Sequence, residues 1–170
     1  MKGKEKKSNS VQNVLLHKII ELGGGRNPLY HPNFDAVNGD IICDLREGIP
    51  LPDRSVLKIF SQDFFEHLTI DEAVKLLAEC MRVLIPQGGI EFIVPDIELM
   101  VSTICKWNEH ADNLIFGAQH DAFDIHKMWY SKELMRYILG KEGWTVISIK
   151  SYKKDDNWLL EPKFTVEAKS

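Results

Sequence analysis

Cysteine is scarce in this chain. Three residues, Cys43, Cys80 and Cys105, lie far apart, and no Cys-x-x-Cys occurs. That excludes a disulfide framework and a cysteine zinc knuckle, and it reads as reduced thiols in a cytoplasmic protein. A basic excess is also lacking: 21 lysines and arginines face 25 acidic residues, for a net charge of −4. The chain therefore gives no strong nucleic-acid signal. Long apolar runs are absent as well. Nothing approaches the roughly 20 consecutive apolar residues of a membrane span. The lysine-rich start (Lys2, Lys4, Lys6, Lys7) is not followed by the apolar core of a signal peptide. Neither internal repeats nor low-complexity segments occur beyond that start.

What is present fits one globular unit. The 170 residues are 44% apolar and 27% charged, near the globular average. Residues 1–10 read as a flexible tail and residues 11–170 as a single domain. Val14–Leu22 is an apolar, β-branched run that stops at Gly23-Gly24-Gly25, the pattern of a buried strand and its turn. Pro28 and Pro32 make the next segment a loop. Short strands are expected at Phe34–Val37, Ile41–Cys43 and Val56–Phe60. Thr69 and Glu72 spell a capping box, and Ile70, Val74, Leu77, Met81 and Leu84 form one apolar helical stripe. Pro86 and Gly88-Gly89 precede a strand at Ile90–Val94. Asp96 caps a helix carrying Ile97, Met100, Val101, Ile104 and Trp107, and Ser131 caps another ending near Gly140 or Gly143. Val146–Ile149 and Phe164–Ala168 close the chain, with Asp155-Asp156-Asn157 in the turn between them. Strands alternating with helices predict an α/β, Rossmann-like, doubly wound and mostly parallel sheet with its first crossover helix missing. The last two strands lack a crossover helix and are expected to pair antiparallel.

In such a sheet, the glycine turn after the first strand is where ligands bind. A dinucleotide site needs G-x-G-x-x-G leading into a helix N-terminus. Gly23 and Gly25 fit, but Pro28 takes the third position and the prolines remove the helix. That disfavours a nicotinamide-dependent oxidoreductase. A nucleoside ligand without a pyrophosphate, such as S-adenosylmethionine, does not need that helix.

Several motifs then recur in a familiar order. They are Glu21–Gly25, Asp44-Leu45, Pro50-Leu51-Pro52-Asp53, Glu66-His67-Leu68, Glu79–Leu84, Pro86-x-Gly88-Gly89 and Val94-Pro95-Asp96, with Phe116-Gly117 and His126-Lys127 later. In this order the chain resembles compact class I S-adenosylmethionine-dependent methyltransferases, from about residue 17 to the C-terminus.

The resemblance implies roles. Glu21, Gly23, Gly24 and Gly25 would line the methionine end of S-adenosylmethionine. An acidic residue ending the second strand binds the ribose in that family; the alignment puts Asn38 there, with Asp35 and Asp40 nearby. Asn accepts through only one oxygen, so the paired contact is weakened. Asp44 and Leu45 would meet the adenine, and Ser61 would stand at the opposite lip of the cleft. His67 and His126 are the candidate bases. The set His120, Asp121, Asp124 and His126 matches no zinc spacing, so no metal is assigned. The implied activity is methyl transfer to an O or N of a small-molecule or sugar (glycan) acceptor. Residues 109–130 would build the acceptor pocket, alone or in a homo-oligomer. The alternative is a catalytically silent methyltransferase-like binding or scaffold module, motivated by Asn38 and the clipped loop from Arg26 to Asn33.

Overall fold

A computed structural model describes residues 16–104, 115–117, 119–120, 122–152 and 163–169. The expected tail, residues 14–15, Cys105, Trp107, His110, Asp121 and the turn at Asp155–Asn157 lie outside them.

Seven strands form one sheet. They are β1 (His17–Leu22), β2 (Asn33–Asp35), β3 (Ile41–Ile42), β4 (Val56–Gln62), β5 (Leu84–Pro95), β6 (Thr145–Tyr152) and β7 (Lys163–Lys169). Their order is β3-β2-β1-β4-β5-β7-β6. The pairs among β1 to β5 are parallel, whereas β7 inserts antiparallel between β5 and β6. This is the predicted doubly wound, mostly parallel sheet with its antiparallel C-terminal strands. The strand order reverses between β1 and β4, which opens a crevice at their carboxyl ends.

Helix α1 (Ile70–Val83) begins as its sequence dictates. The Thr69 hydroxyl accepts from the Glu72 amide while the Glu72 carboxylate accepts from the Thr69 amide. Its buried face is Ala73, Leu76, Leu77, Cys80 and Val83, which differs from the expected stripe: Ile70 is exposed, Val74 and Met81 are only partly buried, and Leu84 begins β5. Helices α2 (Ile97–Ile104) and α3 (Lys132–Lys141) follow. Asp96 Oδ1 accepts from the Glu98 amide at the start of α2, and Ser131 Oγ accepts from Leu134 at the start of α3.

Alternation along β4 and β5 sends side chains to both faces of the sheet. Ile59, Ile90, Phe92 and Val94 join α1 and α3 in one core, where Phe65 stacks on Phe92 with ring centroids 4.9 Å apart. Phe60 faces the other way and meets Tyr30 edge to face at 5.1 Å. Tyr30 belongs to the β1–β2 connection, where no helix forms. An aromatic side chain on a loop thus covers sheet surface that a crossover helix would otherwise cover.

Two boundaries differ from expectation. The second strand ends at Asp35, because the Asp35 carboxylate turns the chain by accepting from the amides of Val37 and Asn38, both at 2.8 Å. The strand expected at Ile90–Val94 begins at Leu84, since the extended chain of β5 continues through Pro86 and Gly88. Pairing with β4 shifts register between Val56 and Lys58, which accommodates that irregular stretch.

Candidate active site

A cavity of about 640 Å³ opens at the carboxyl ends of β1 to β4. That volume falls within the range of small-ligand pockets. Four successive strand ends supply its wall: Gly23 and Gly25 after β1, Asp35 to Asn38 after β2, Asp44 to Arg46 after β3, and Asp63 and Phe64 after β4. His67, Phe123, Asp124 and Lys127 close the far end.

The glycine turn is built for close approach. Gly23 has φ +70°, and a Cβ on it would lie 2.2 Å from the Phe64 ring. Gly25 has φ +56°, and its Cβ position is open. A side chain at Gly23 would collide, while at Gly25 it would strain the backbone and project into open space. Gly24 is fixed from behind, its amide donating to Asn33 Oδ1 at 3.0 Å. Gly24 does not line the cavity.

Glu21 sits beneath this turn, 2% exposed and outside the cavity wall. Its Oε2 accepts the amides of Leu29 and Tyr30, both at 2.6 Å. Burial pushes its pKa up, and the two amides and nearby His31 pull partly back. The carboxylate folds the β1–β2 loop and does not face the space where the resemblance placed it. Ser61 is likewise buried, its hydroxyl donating to the Leu22 carbonyl at 2.9 Å. It ties β4 to β1 at the floor of the crevice.

Asp35, not Asn38, is the residue that ends the second strand. Both line the cavity, but Asn38 stands three residues further along the turn that Asp35 organises. Asp35 Oδ1 takes the Val37 and Asn38 amides; Oδ2 takes the Gly25 amide at a long 3.3 Å. A carboxylate with lone pairs to spare therefore stands at the strand end, between the glycine turn and the next loop. The alignment placed the strand end three residues later, since β2 is too short to show alternation.

Asp44 and Leu45 line the cavity as expected. Asp44 also caps the short 3-10 turn Leu45–Glu47, accepting from the Arg46 amide and its guanidinium. The Arg46 side chain holds the Asp44 carboxyl below its ordinary pKa. Arg46 in turn lies over the Phe123 ring, 5.3 Å from its centroid.

At the far end, His67 and His126 meet edge to face with ring centroids 4.9 Å apart. His67 Nδ1 lies 3.2 Å from the Ile125 carbonyl. A carbonyl only accepts, so this bond favours a proton on Nδ1, and the Asp63 carbonyl bonds the same ring. Burial pushes the His67 pKa down, and the Ile125 carbonyl, with the charges of Asp124 and Asp63, pulls partly back. Glu66, 1% exposed, completes a cluster: one ligand-type atom from each of Glu66, His67 and His126 lies within 4.8 Å of the others. Sequence spacing could not have shown it, because the fold brings residues 66 and 126 together.

Carboxylates at strand ends and the His67 imidazole thus face one cavity, beside a glycine turn whose amides are already bonded, Gly23 to the Phe34 carbonyl, Gly24 to Asn33 and Gly25 to Asp35. Gly25 leaves open space beside the backbone, and Asp35 and Asp44 offer acceptors to hydroxyl and amine groups. This set fits a nucleoside carrying an amino-acid tail. The family model for the methyltransferase domain matches residues 26–92. The architecture is that of S-adenosylmethionine-dependent methyltransferases. One from Archaeoglobus fulgidus superposes with TM-score 0.64 at 14% identity, over 91% of this chain and 86% of the other. One from Mesorhizobium loti gives 0.63 at 15% identity, over 94% of both chains. A chain from a Haloferax volcanii complex between a methyltransferase and its activator gives 0.62 at 15% identity, over 92% and 83%. No curated protein matches the sequence. The family-model match over residues 26–92 and the shared fold agree with the methyltransferase resemblance read from the sequence. No helix among the described residues is long and apolar enough to cross a membrane.

Proposed function

We propose that the protein transfers a methyl group from S-adenosylmethionine to an oxygen or nitrogen of a small-molecule or glycan acceptor seated against His67 and His126. The observation that carries this reading is one cavity shared by the glycine turn, Asp35 and Asp44 on one side and His67 on the other. When bound, the cofactor supplies a methyl group already activated on a sulfonium. The chain's task is then placement, which converts an encounter into an in-line approach.

The residues divide that task. Gly25 leaves the backbone open to the methionine end, and Gly23 lets the Phe64 ring pack against the turn. Asp35 accepts from the ribose hydroxyls, and Asp44 with Leu45 holds the adenine edge. His67 Nε2 carries a lone pair toward which a hydroxyl acceptor can release its proton, and His126 stands beside it. Phe64, Phe123 and Leu68 line the same space with apolar surface and exclude water.

Calorimetry and thermal shift with S-adenosylmethionine and S-adenosylhomocysteine test the cofactor half of this proposal. Neither heat nor a Tm change at millimolar ligand would sink it. Release of S-adenosylhomocysteine in the presence of a hydroxylated or amino small molecule or glycan tests the rest. His67→Asn should then lower kcat by about 100-fold, the usual range of a lost base, with cofactor affinity unchanged.

A further inference from the structure

The cluster of Glu66, His67 and His126 has a donor chemistry the methyl-transfer reading does not use. Two imidazoles and one carboxylate are the ligand set of a first-row divalent transition metal. The carboxylate is buried, which is costly for a charge unless a cation or proton offsets it.

The three groups are also held from outside. Glu66 and His67 lie on the short 3-10 turn Phe65–His67. Residues 125–130 run along that turn and are fastened to it four times. The Ile125 carbonyl takes His67 Nδ1; the amides of Lys127 and Met128 donate to the Glu66 carbonyl at 2.7 and 3.1 Å; and the Tyr130 hydroxyl donates to the Phe65 carbonyl at 3.3 Å. His126 sits in the middle of this fastened stretch, so its place beside His67 is set by the backbone. A histidine that gives its Nδ1–H to a carbonyl is fixed in the tautomer that offers Nε2 to a metal. Ligands of a single ion at about 2.1 Å stand about 3.0–3.5 Å apart. From the present 4.8 Å limit, side-chain closure of up to about 1.3–1.8 Å reaches that spacing.

We propose that Glu66, His67 and His126 bind one divalent transition-metal ion at the acceptor end of the cavity, and that the acceptor is a hydroxyl flanked by a second oxygen able to chelate it. This rests on the methyl-transfer reading and deepens it: the imidazoles act as ligands in place of a free base. A cation there lowers the pKa of the acceptor hydroxyl, whose proton passes to solvent. The new bond joins the methyl carbon to that oxygen. The carbon–sulfur bond breaks with its electron pair kept by sulfur, which becomes a neutral thioether.

The test is calorimetric titration of chelator-stripped full chain with Zn²⁺ and Mn²⁺, beside a parallel titration with S-adenosylhomocysteine. Visible absorption of the Co²⁺-loaded protein reports nitrogen and oxygen coordination. One ion per chain at micromolar or tighter Kd is expected. His126→Ala and Glu66→Gln should each weaken it at least tenfold, and His31→Ala, at an exposed histidine remote from the cluster, should leave it unchanged. Because Glu66 is buried, the thermal melt of Glu66→Gln accompanies its titration; if that variant is unfolded, His126→Ala and His67→Asn carry the decision. Binding that these variants do not change, or no binding below about 100 µM, overturns the metal site. Failure of S-adenosylhomocysteine to bind while the metal still does would instead overturn the methyl-transfer reading. Full activity in chelator, lost in His67→Asn, would leave the base reading standing and end this one.

Discussion

The Glu21 carboxylate accepts the Tyr30 amide at 2.6 Å from a site 2% exposed to solvent. With its twin bond to Leu29, this contact folds the loop that replaces the first crossover helix. Tyr30 then packs on Phe60 and Gly25 is left facing the cavity. Glu21→Ala leaves two amides without their acceptor and should cost about 2 kcal/mol of stability. It should also weaken S-adenosylhomocysteine binding, because Gly25 and Arg26 lie on the released loop. Glu21→Gln keeps an acceptor oxygen and removes a charge that burial disfavours, so its cost should be less than half as large. Chemical denaturation and ligand calorimetry on the two variants check both expectations.

Asp35 and Asn38 make opposite predictions about the ribose. A hydroxyl bonded to a carboxylate contributes about 1.5–3 kcal/mol. Asp35→Ala should therefore raise the Kd for S-adenosylhomocysteine by about 10- to 100-fold. Asn38→Ala should change it by less than about threefold, and Asn38→Asp should bring no large gain. A large gain from Asn38→Asp would return the ribose contact to the turn.

Much of the fold is legible in the sequence because it rests on local signals. Thr69 and Glu72 announce α1, Ser131 announces α3, and the two prolines deny a helix between β1 and β2. The antiparallel C-terminal strands follow from their missing crossover. What the sequence conceals is set by contacts between distant segments. Glu21 and Asp35 are both acids near a glycine turn, and only packing decides that one is buried under the loop and the other faces the cavity. The same holds for Glu66 and His126, which meet because Lys127 and Met128 bond to a turn some sixty residues earlier. The Arg82 guanidinium likewise reaches two distant loop carbonyls, Ile49 and Leu51, both at 2.8 Å, contacts that no local pattern encodes.

That guanidinium gives a pH prediction. Arg82 bonds Glu79 and holds its carboxyl below the ordinary range; burial opposes this and the Ile49 amide assists. A carboxyl with a lowered folded pKa adds stability that is fully present above its unfolded value. The contribution is lost as pH falls through the lowered folded value. Melts from pH 7 to pH 3 should show Tm falling steeply on the acid side. Glu79→Gln should start with a lower Tm at pH 7 and fall less steeply. Arg82→Ala strips two loop carbonyls of a donor and should cost about 1–3 kcal/mol at pH 7.

Asp96 links the sheet to two helices, and its ion pair gives the sharpest stability test. The residue is 0% exposed, follows β5 and caps α2, while Lys132 Nζ reaches its Oδ2 at 3.1 Å from the first turn of α3. Lys132 also donates to Ser151 Oγ at 2.9 Å, so one ammonium joins α3 to β6 and to the end of β5. Removing the lysine leaves a buried carboxylate facing only the helix N-terminus. Lys132→Ala should therefore cost about 3 kcal/mol, near the range for a broken buried pair. Asp96→Asn keeps an oxygen for the Glu98 amide and removes the charge. Adding it to the lysine variant should recover more than half of the loss, because no buried charge then lacks its partner. Denaturation of the two single variants and the double variant closes the cycle, and additive losses would mean that the pair contributes no coupling.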